Sequence, residues 1–320
     1  MKFVQFCADD DYTKKYFVGT TTVYDVLYVF GHSIFTKYSL LKILFKIHYN
    51  PSINARINLP FKMIWYKLMV PQCVNPLENS IFIVGSGFYK NVPSSFFIYL
   101  KKNYKCKLCF RYSDKVSFYH QIDINKLNTV FDNIQTYNSV DSKDYSISLH
   151  PPIVFNLANI KKKPLSERKT DVLFVGRDKG RMDLISSIYR KCISNNFIAD
   201  FYVIENKDQE KIEGIHYTGY IPYGKVVEKI MDCKCILNIM QPGTEGITIR
   251  DIEAYNYGCF ILTNYISEKV KAIYNDSQVI EIGNINHRIE DIRNVKECFP
   301  KKPCEWTLDN YFHWVKNELS

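Results

Sequence analysis

Residues 243–258 read GTEGITIRDIEAYNYG, and Glu245 and Glu253 stand eight positions apart within them. An ionised carboxylate can accept hydrogen bonds from two neighbouring hydroxyls, which is what a sugar diol requires. The run ITIRDIEAYNY reads as a helix, and Gly258 is a normal C-terminal stop. Glu245 then lies in the turn ahead of the helix, with Glu253 about two turns inside it. At about 100° per residue the two carboxylates are offset by roughly 80°, so both can line one cleft wall with Glu245 at its tip. The amides of Gly246, Ile247 and Thr248 precede the first helical turn and can donate to a ligand. A local reading competes: Glu245 caps the helix and Glu253 is an ordinary surface residue.

A second stretch, DVLFVGRDKGRMDLI (171–185), couples a strand ending at Gly176 to a helix beginning near Arg181. Backbone N–H groups and the positive end of a helix favour an anion at such a corner. Arg177, Lys179 and Arg181 put three cations within five residues. Arginine forks onto phosphate oxygens and lysine supplies a point charge, a combination suited to a diphosphate. A solvated basic turn has the same composition.

Regular elements must hold these residues. In the second half, the strand-like runs DVLFVG, ADFYVIE, CILNIM, CFILTN and QVIEIG alternate with the helix-like runs RMDLISSIYRKCISNN, YGKVVEKIMDC, TIRDIEAYNY and SEKVKAIYND. That alternation predicts βαβ units and a parallel sheet, with ligands at the carboxyl ends of the strands. The first half is less regular. KFVQFCA, VYDVLYVFG, SIFIVGSG, KCKLCFRY and TVFDNIQTYN read as strands, and SSFFIYLKKNY (94–104) as a helix between them. The segment 149–170 carries three prolines and a KKK run and reads as a linker, with a boundary near residue 160. Two α/β domains, 1–160 and 161–320, are expected.

A length of 320 residues suits two domains, and 46% apolar with 15% aromatic residues suffices for packed cores. The net charge of +9 favours phosphate-bearing ligands or an anionic surface. The ten scattered cysteines and the opening MKFVQFCADDD, which turns acidic after eight residues, point to free thiols in a reducing cytoplasm. No apolar run approaches the roughly 18 residues of a membrane span, so a soluble or peripheral protein is expected. The D-x-D within Asp9–Asp11 stands too early to be a mid-chain metal motif, and Cys106 and Cys109 have no second pair at zinc-site spacing. Gly85–Ser86–Gly87 lacks the third glycine of a dinucleotide fingerprint. Buried thiols and ordinary turns account for these features, and no metal site is expected.

Residues 171–283 resemble the nucleotide-binding domain of retaining glycosyltransferases with the GT-B fold, and are most similar to bacterial enzymes of lipopolysaccharide and capsule assembly. The matching stretches are FVGRDKGR (174–181), ILNIMQPGTEGITIRDIEAYNYG (236–258) with its E-x7-E pair, and ILTN (261–264). In the first half, residues 81–114 and 131–152 resemble strand-helix-strand units near the cleft of such enzymes. The resemblance implies two Rossmann-like domains facing across a cleft, with the donor on the C-terminal domain and the acceptor on the N-terminal one. It also implies that Glu245 and the neighbouring amides contact donor-sugar hydroxyls and that Glu253 binds the ribose. Arg177 and Lys179 would hold the diphosphate, with Lys179 and Arg181 competing for the position usually filled by lysine. No protein nucleophile and no cofactor is implied beyond the nucleotide-sugar donor, whose leaving phosphate takes the acceptor proton. Asp114 is the first choice to orient the acceptor and His32 the second; each also reads as a strand-end polar residue in water. The final stretch 303–317, with Trp306, Phe312 and Trp314, would cross back to brace the first domain. An epimerase on the same fold and a non-catalytic nucleotide-sugar-binding module are the alternative functions.

One charge feature stands apart. From Val26 to Leu77 there is no Asp or Glu, while Lys37, Lys42, Lys46, Arg56, Lys62 and Lys67 fall in the stretch. LLKILFKIHY and LPFKMIWYKLM within it are basic, aromatic and amphipathic. Residues 36–69 can lie on an anionic membrane, with Trp65 and Tyr66 at the headgroups. That fits a saccharide or lipid-linked acceptor and a place on the inner face of the cytoplasmic membrane. Helices packed on the first domain with their lysines in water are the plainer alternative. No nucleic-acid reader motif accompanies the patch.

Overall fold

Short runs rich in Val, Ile, Phe and Tyr form two six-stranded, wholly parallel sheets, each belonging to its own unit. The structure, a computed structural model, describes residues 2–7, 21, 23–30, 39–54, 56–57, 59–70, 79–90, 92–151, 153, 162–204, 211–294 and 307–320. One unit comprises Met1–Asn156 with Trp306–Ser320, the other Leu157–Glu305. The Asp9–Asp11 run, His32, Trp306 and the expected boundary at residue 160 lie outside the described residues. Both units are Rossmann-like α/β domains.

In the first unit the strands are β1 (Lys2–Cys7), β2 (Asp25–Phe30), β3 (Ile81–Gly85), β4 (Lys107–Arg111), β5 (Asn133–Thr136) and β6 (Ser148–Leu149), in the order β2-β1-β3-β4-β5-β6. The longer helices are α1 (Ser39–His48), α2 (Ile64–Met69), α3 (Ser94–Tyr104), α4 (Ile124–Val130) and α5 (Ser139–Tyr145). Alternate residues of β1 and β3, among them Phe6 and Phe82, meet Phe88, Phe96 and Phe110 in one buried aromatic cluster. Each such ring stabilises the fold by about 1.5–3 kcal/mol relative to exposure. The TVFDNIQTYN run is not one strand. Its first residues close α4, where Asp123 caps the helix and Leu127 and Val130 are buried one turn apart, and only Asn133–Thr136 are extended. Asp114 does not end the β4 strand either, since β4 stops at Arg111.

The second unit holds β7 (Thr170–Arg177), β8 (Ala199–Ile204), β9 (His216–Thr218), β10 (Cys233–Asn238), β11 (Phe260–Thr263) and β12 (Val279–Glu281), in the order β12-β11-β10-β7-β8-β9. Helices α6 (Met182–Ser194), α7 (Tyr223–Met231), α8 (Ile249–Tyr257) and α9 (Glu268–Ile273) alternate with the strands. Buried Arg168 ties three edges of this unit, donating to the carbonyls of Lys163, Cys233 and Tyr257. The described cysteines are buried and form no disulfide with one another.

The final helix, α10 (Leu308–Glu318), packs on the first sheet. Phe312 meets Phe3 with ring centroids 4.7 Å apart, and the Tyr311 hydroxyl donates to Gln135 Oε1 at 2.9 Å. Its buried side chains are Leu308, Tyr311, Phe312 and Val315, while Trp314 is half-buried. Trp65 and Tyr66 depart from expectation: both are buried, Trp65 edge-on to Phe45 and Tyr66 beside Phe96. Their rings are too large and apolar to stay in water when the core of this unit is within reach. Among the described residues no helix is long and apolar enough to cross a membrane.

Candidate functional site

The strand order of the second unit reverses at β7. The chain runs outward through β8 and β9, then returns to lay β10 against the other edge of β7. In open parallel sheets a crevice forms outside the carboxyl ends of the strands at such a reversal, where ligands bind. The β7–α6 and β10–α8 loops emerge there, and they contain both stretches singled out in the sequence.

At the first corner, buried Asp178 accepts the Gly180 N–H at 2.7 Å. The turn uses left-handed backbone at Lys179 (φ 49°) and Gly180 (φ 78°), the latter a conformation open to glycine without strain. Arg177 is exposed, and its guanidinium has no hydrogen-bond partner among the described residues. Arg181 is differently employed. Its Nε donates to the Asp178 carbonyl and its Nη2 to the Arg177 carbonyl, each at 2.7 Å, and its Nη1 donates to the Ile239 carbonyl of the β10–α8 loop. Two of these N–H groups brace the turn of Arg181 itself, and the third ties it to the β10–α8 loop.

At the second corner Thr248, not Glu245, is the helix cap. Thr248 Oγ1 accepts from the Arg250 and Asp251 amides, and Asp251 Oδ2 accepts the Thr248 amide at 2.7 Å. In this capping box the Thr248 amide, expected from the sequence to meet a ligand, donates to Asp251. The amides of Gly246 and Ile247 have no backbone partner among the described residues. Asp251 is buried and also accepts from Asn238 Nδ2 at 2.9 Å, while its carbonyl accepts the Tyr274 hydroxyl at 2.7 Å. Burial pushes the Asp251 carboxyl up to about 6, against the opposing pull of its Thr248 and Asn238 donors. Asn264 clamps the backbone of Met240, accepting its N–H at 2.7 Å and donating to its carbonyl at 3.2 Å. Glu245 is half-buried in the loop, beside the left-handed Gly243 and Gly246.

Glu253 is no surface residue, being only 2% exposed. Its Oε1 accepts the Tyr223 hydroxyl, and its Oε2 accepts from Arg250 Nη1. Arg250 Nη2 reaches on to the Val175 carbonyl near the end of β7, 2.8 Å away. Arg250 and Arg181 thus bridge the two corners from opposite sequence directions. The site also draws in Tyr223, Arg250, Asn238 and Asp251, which the two-glutamate reading passes over. Two local signals mark some of them: the T-x-x-D of Thr248–Asp251, and the i,i+3 pair Arg250–Glu253.

In the first unit, Asp114 is half-buried and accepts the Lys115 amide at 2.9 Å. Burial and then the Asp114 charge hold the Tyr137 phenol above its ordinary range, so the two groups are neighbours. Among the described residues no three His, Cys, Asp or Glu side chains are grouped to hold a metal ion.

No protein-family model matches the sequence, and no curated protein matches it. Solved structures do match the fold. An alpha-glucosyltransferase in complex with UDP-glucose and DNA containing an abasic site aligns with a TM-score of 0.51 at 11% identity, over 92% of this chain and 90% of the other. An alpha-glucosyltransferase in complex with UDP and a 13-mer DNA containing a central A:G mismatch aligns over the same shares with a TM-score of 0.51 at 13% identity.

Proposed function

We propose that this chain moves a sugar from a nucleotide-diphosphate sugar to a saccharide or lipid-linked acceptor, with retention of anomeric configuration and no required metal. The reading is carried by the joined corners at the sheet reversal. One presents the exposed cation Arg177, the other Glu245 with the amides of Gly246 and Ile247, and Arg181 and Arg250 lock the two loops together. The solved structures of this fold that hold UDP or UDP-glucose lend it support.

The chemistry follows from where charge develops. Breaking the bond between the anomeric carbon and the diphosphate oxygen leaves negative charge on the leaving group. Arg177 and Lys179, with the Gly246 and Ile247 amides, stabilise that charge more in the transition state than before it. Glu245 accepts donor-sugar hydroxyls. Glu253, whose oxygens accept from Tyr223 and Arg250, takes the ribose hydroxyls by giving up one of those donors. The acceptor hydroxyl attacks the face the diphosphate leaves and passes its proton to the departing phosphate oxygen, while Asp114 orients the acceptor.

The test is a thermal-shift panel of nucleoside diphosphates, followed by donor hydrolysis and transfer in excess chelator. One base should raise the melting temperature, and turnover should survive chelation, be lost in Arg177→Ala and Glu245→Ala, and give the retained anomer by NMR. Absence of a shift with every diphosphate sinks the reading.

A further inference from the structure

The first unit wears an apolar stripe on the wrong side of a helix. In α1 the residues Leu40, Ile43, Leu44 and Ile47 recur at i, i+3, i+4 and i+7, the spacing of a core-facing stripe. Yet all four are exposed, Leu40 by 67% and Ile43 by 55%, and Phe45 on another face anchors the helix in the core. The same holds just ahead of α2. Phe61, Met63 and Ile64 are exposed by 73%, 70% and 65%, whereas Trp65, Tyr66 and Met69 are buried. Phe61 has left-handed backbone (φ 62°), unusual for a bulky residue. Exposed large aliphatic side chains gathered in one segment mark an interaction surface.

The exposed charges carried by this segment have one sign. Lys46, Arg56 and Lys67 are exposed there, and no acidic residue occurs between Val26 and Leu77. We propose that this face docks on an anionic bilayer surface, the exposed aliphatic side chains entering the acyl boundary while the lysines and the arginine meet lipid phosphates. An anionic bilayer offers an apolar layer directly beneath negative headgroups, which is the pairing this face presents. Nucleic acid would match the cations but leave bare aliphatic side chains against phosphate and sugar. An aromatic-poor stripe such as Leu40–Ile47 offers bases nothing to stack on. Trp65 and Tyr66, buried as they are, take no part in the contact. The proposal stands apart from the donor site, all of whose residues belong to the other unit.

Flotation of the full chain with vesicles tests it. Binding is expected to vesicles of phosphatidylcholine mixed with phosphatidylglycerol, to weaken as salt rises, and to be slight with phosphatidylcholine alone. The variant Leu40→Ser/Ile43→Ser/Ile47→Ser should cut partitioning at least about tenfold, and Lys46→Glu/Arg56→Glu by a similar factor. Because these side chains are exposed, thermal unfolding should be unchanged. Phe61→Ser/Met63→Ser is a second, independent variant expected to weaken flotation. Nucleotide-induced thermal shift on the same samples separates loss of docking from failure of the donor site. The proposal is overturned if neither vesicle floats the protein or if the serine variants float unchanged. It is equally overturned if duplex DNA, or a second copy in a sizing experiment, proves to be what these residues hold.

Discussion

The two corners at the sheet reversal solve different problems with the same strand-loop-helix geometry. The β7 corner offers bare charge, since Arg177 projects from a tight turn made by Asp178, Lys179 and Gly180 and its guanidinium has no hydrogen-bond partner among the described residues. The β10 corner turns inward instead. Thr248, Asp251, Asn238, Glu253, Arg250 and Tyr223 hydrogen-bond one another, so most of its polarity is already satisfied. A cation left exposed costs little stability but is available at once to an anion. A saturated buried network supplies shape and rigidity, and punishes the removal of any member.

Mutations should separate the two accordingly. Glu253→Ala strands largely buried Arg250 and the Tyr223 hydroxyl, and should cost about 3 kcal/mol in urea unfolding. A loss under about 1 kcal/mol would mean the network is looser than its geometry implies. Arg177→Ala should leave unfolding unchanged yet slow transfer about 100-fold, about 2.7 kcal/mol in activation free energy. If its stability falls while its rate holds, the contrast between the corners is reversed. The Asp251 carboxyl, raised from 3.8 to about 6, makes a pH prediction. The folded state binds the proton more tightly than the unfolded one, so the stability it adds is fully present below about pH 4. It is lost as pH rises to about 6, by about 3 kcal/mol at most. Asp251→Asn should flatten that window relative to wild type in unfolding curves taken across pH. The smallest effect is expected for Thr248→Ala, about 1 kcal/mol of lost capping, with Thr248→Ser restoring most of it.

Both sheets are legible in the sequence because their strands are short apolar runs between turn residues, and α3, α6, α7 and α8 follow from apolar spacing. Strands β6 and β9 are too short and polar to stand out: Ser148–Leu149 and His216–Thr218 are extended because a neighbouring strand offers pairing. In the site, Arg177 and the glutamate pair are visible as residue types at a spacing. The work of Arg181 is not, because its Ile239 carbonyl acceptor lies 58 positions away and only the pairing of β7 with β10 brings it near. The capping box is a local signal, Thr248 and Asp251 standing three positions apart, and Glu245 just ahead of it competes for the same role in the sequence. Burial of Trp65 was not deducible, because α1 and α2 each carry two apolar faces and pattern alone does not say which one turns inward.

The side chain of Arg181 has one more consequence. By fastening the carbonyls of Arg177 and Asp178 to that of Ile239, it makes the two loops a single mechanical element. A ligand fragment that resettles either loop must drag the other along. The nucleoside diphosphate that shifts the melting temperature and a free sugar, added together, should then bind more tightly than their separate affinities allow, and clipping the tether with Arg181→Met should make the two sites indifferent to each other.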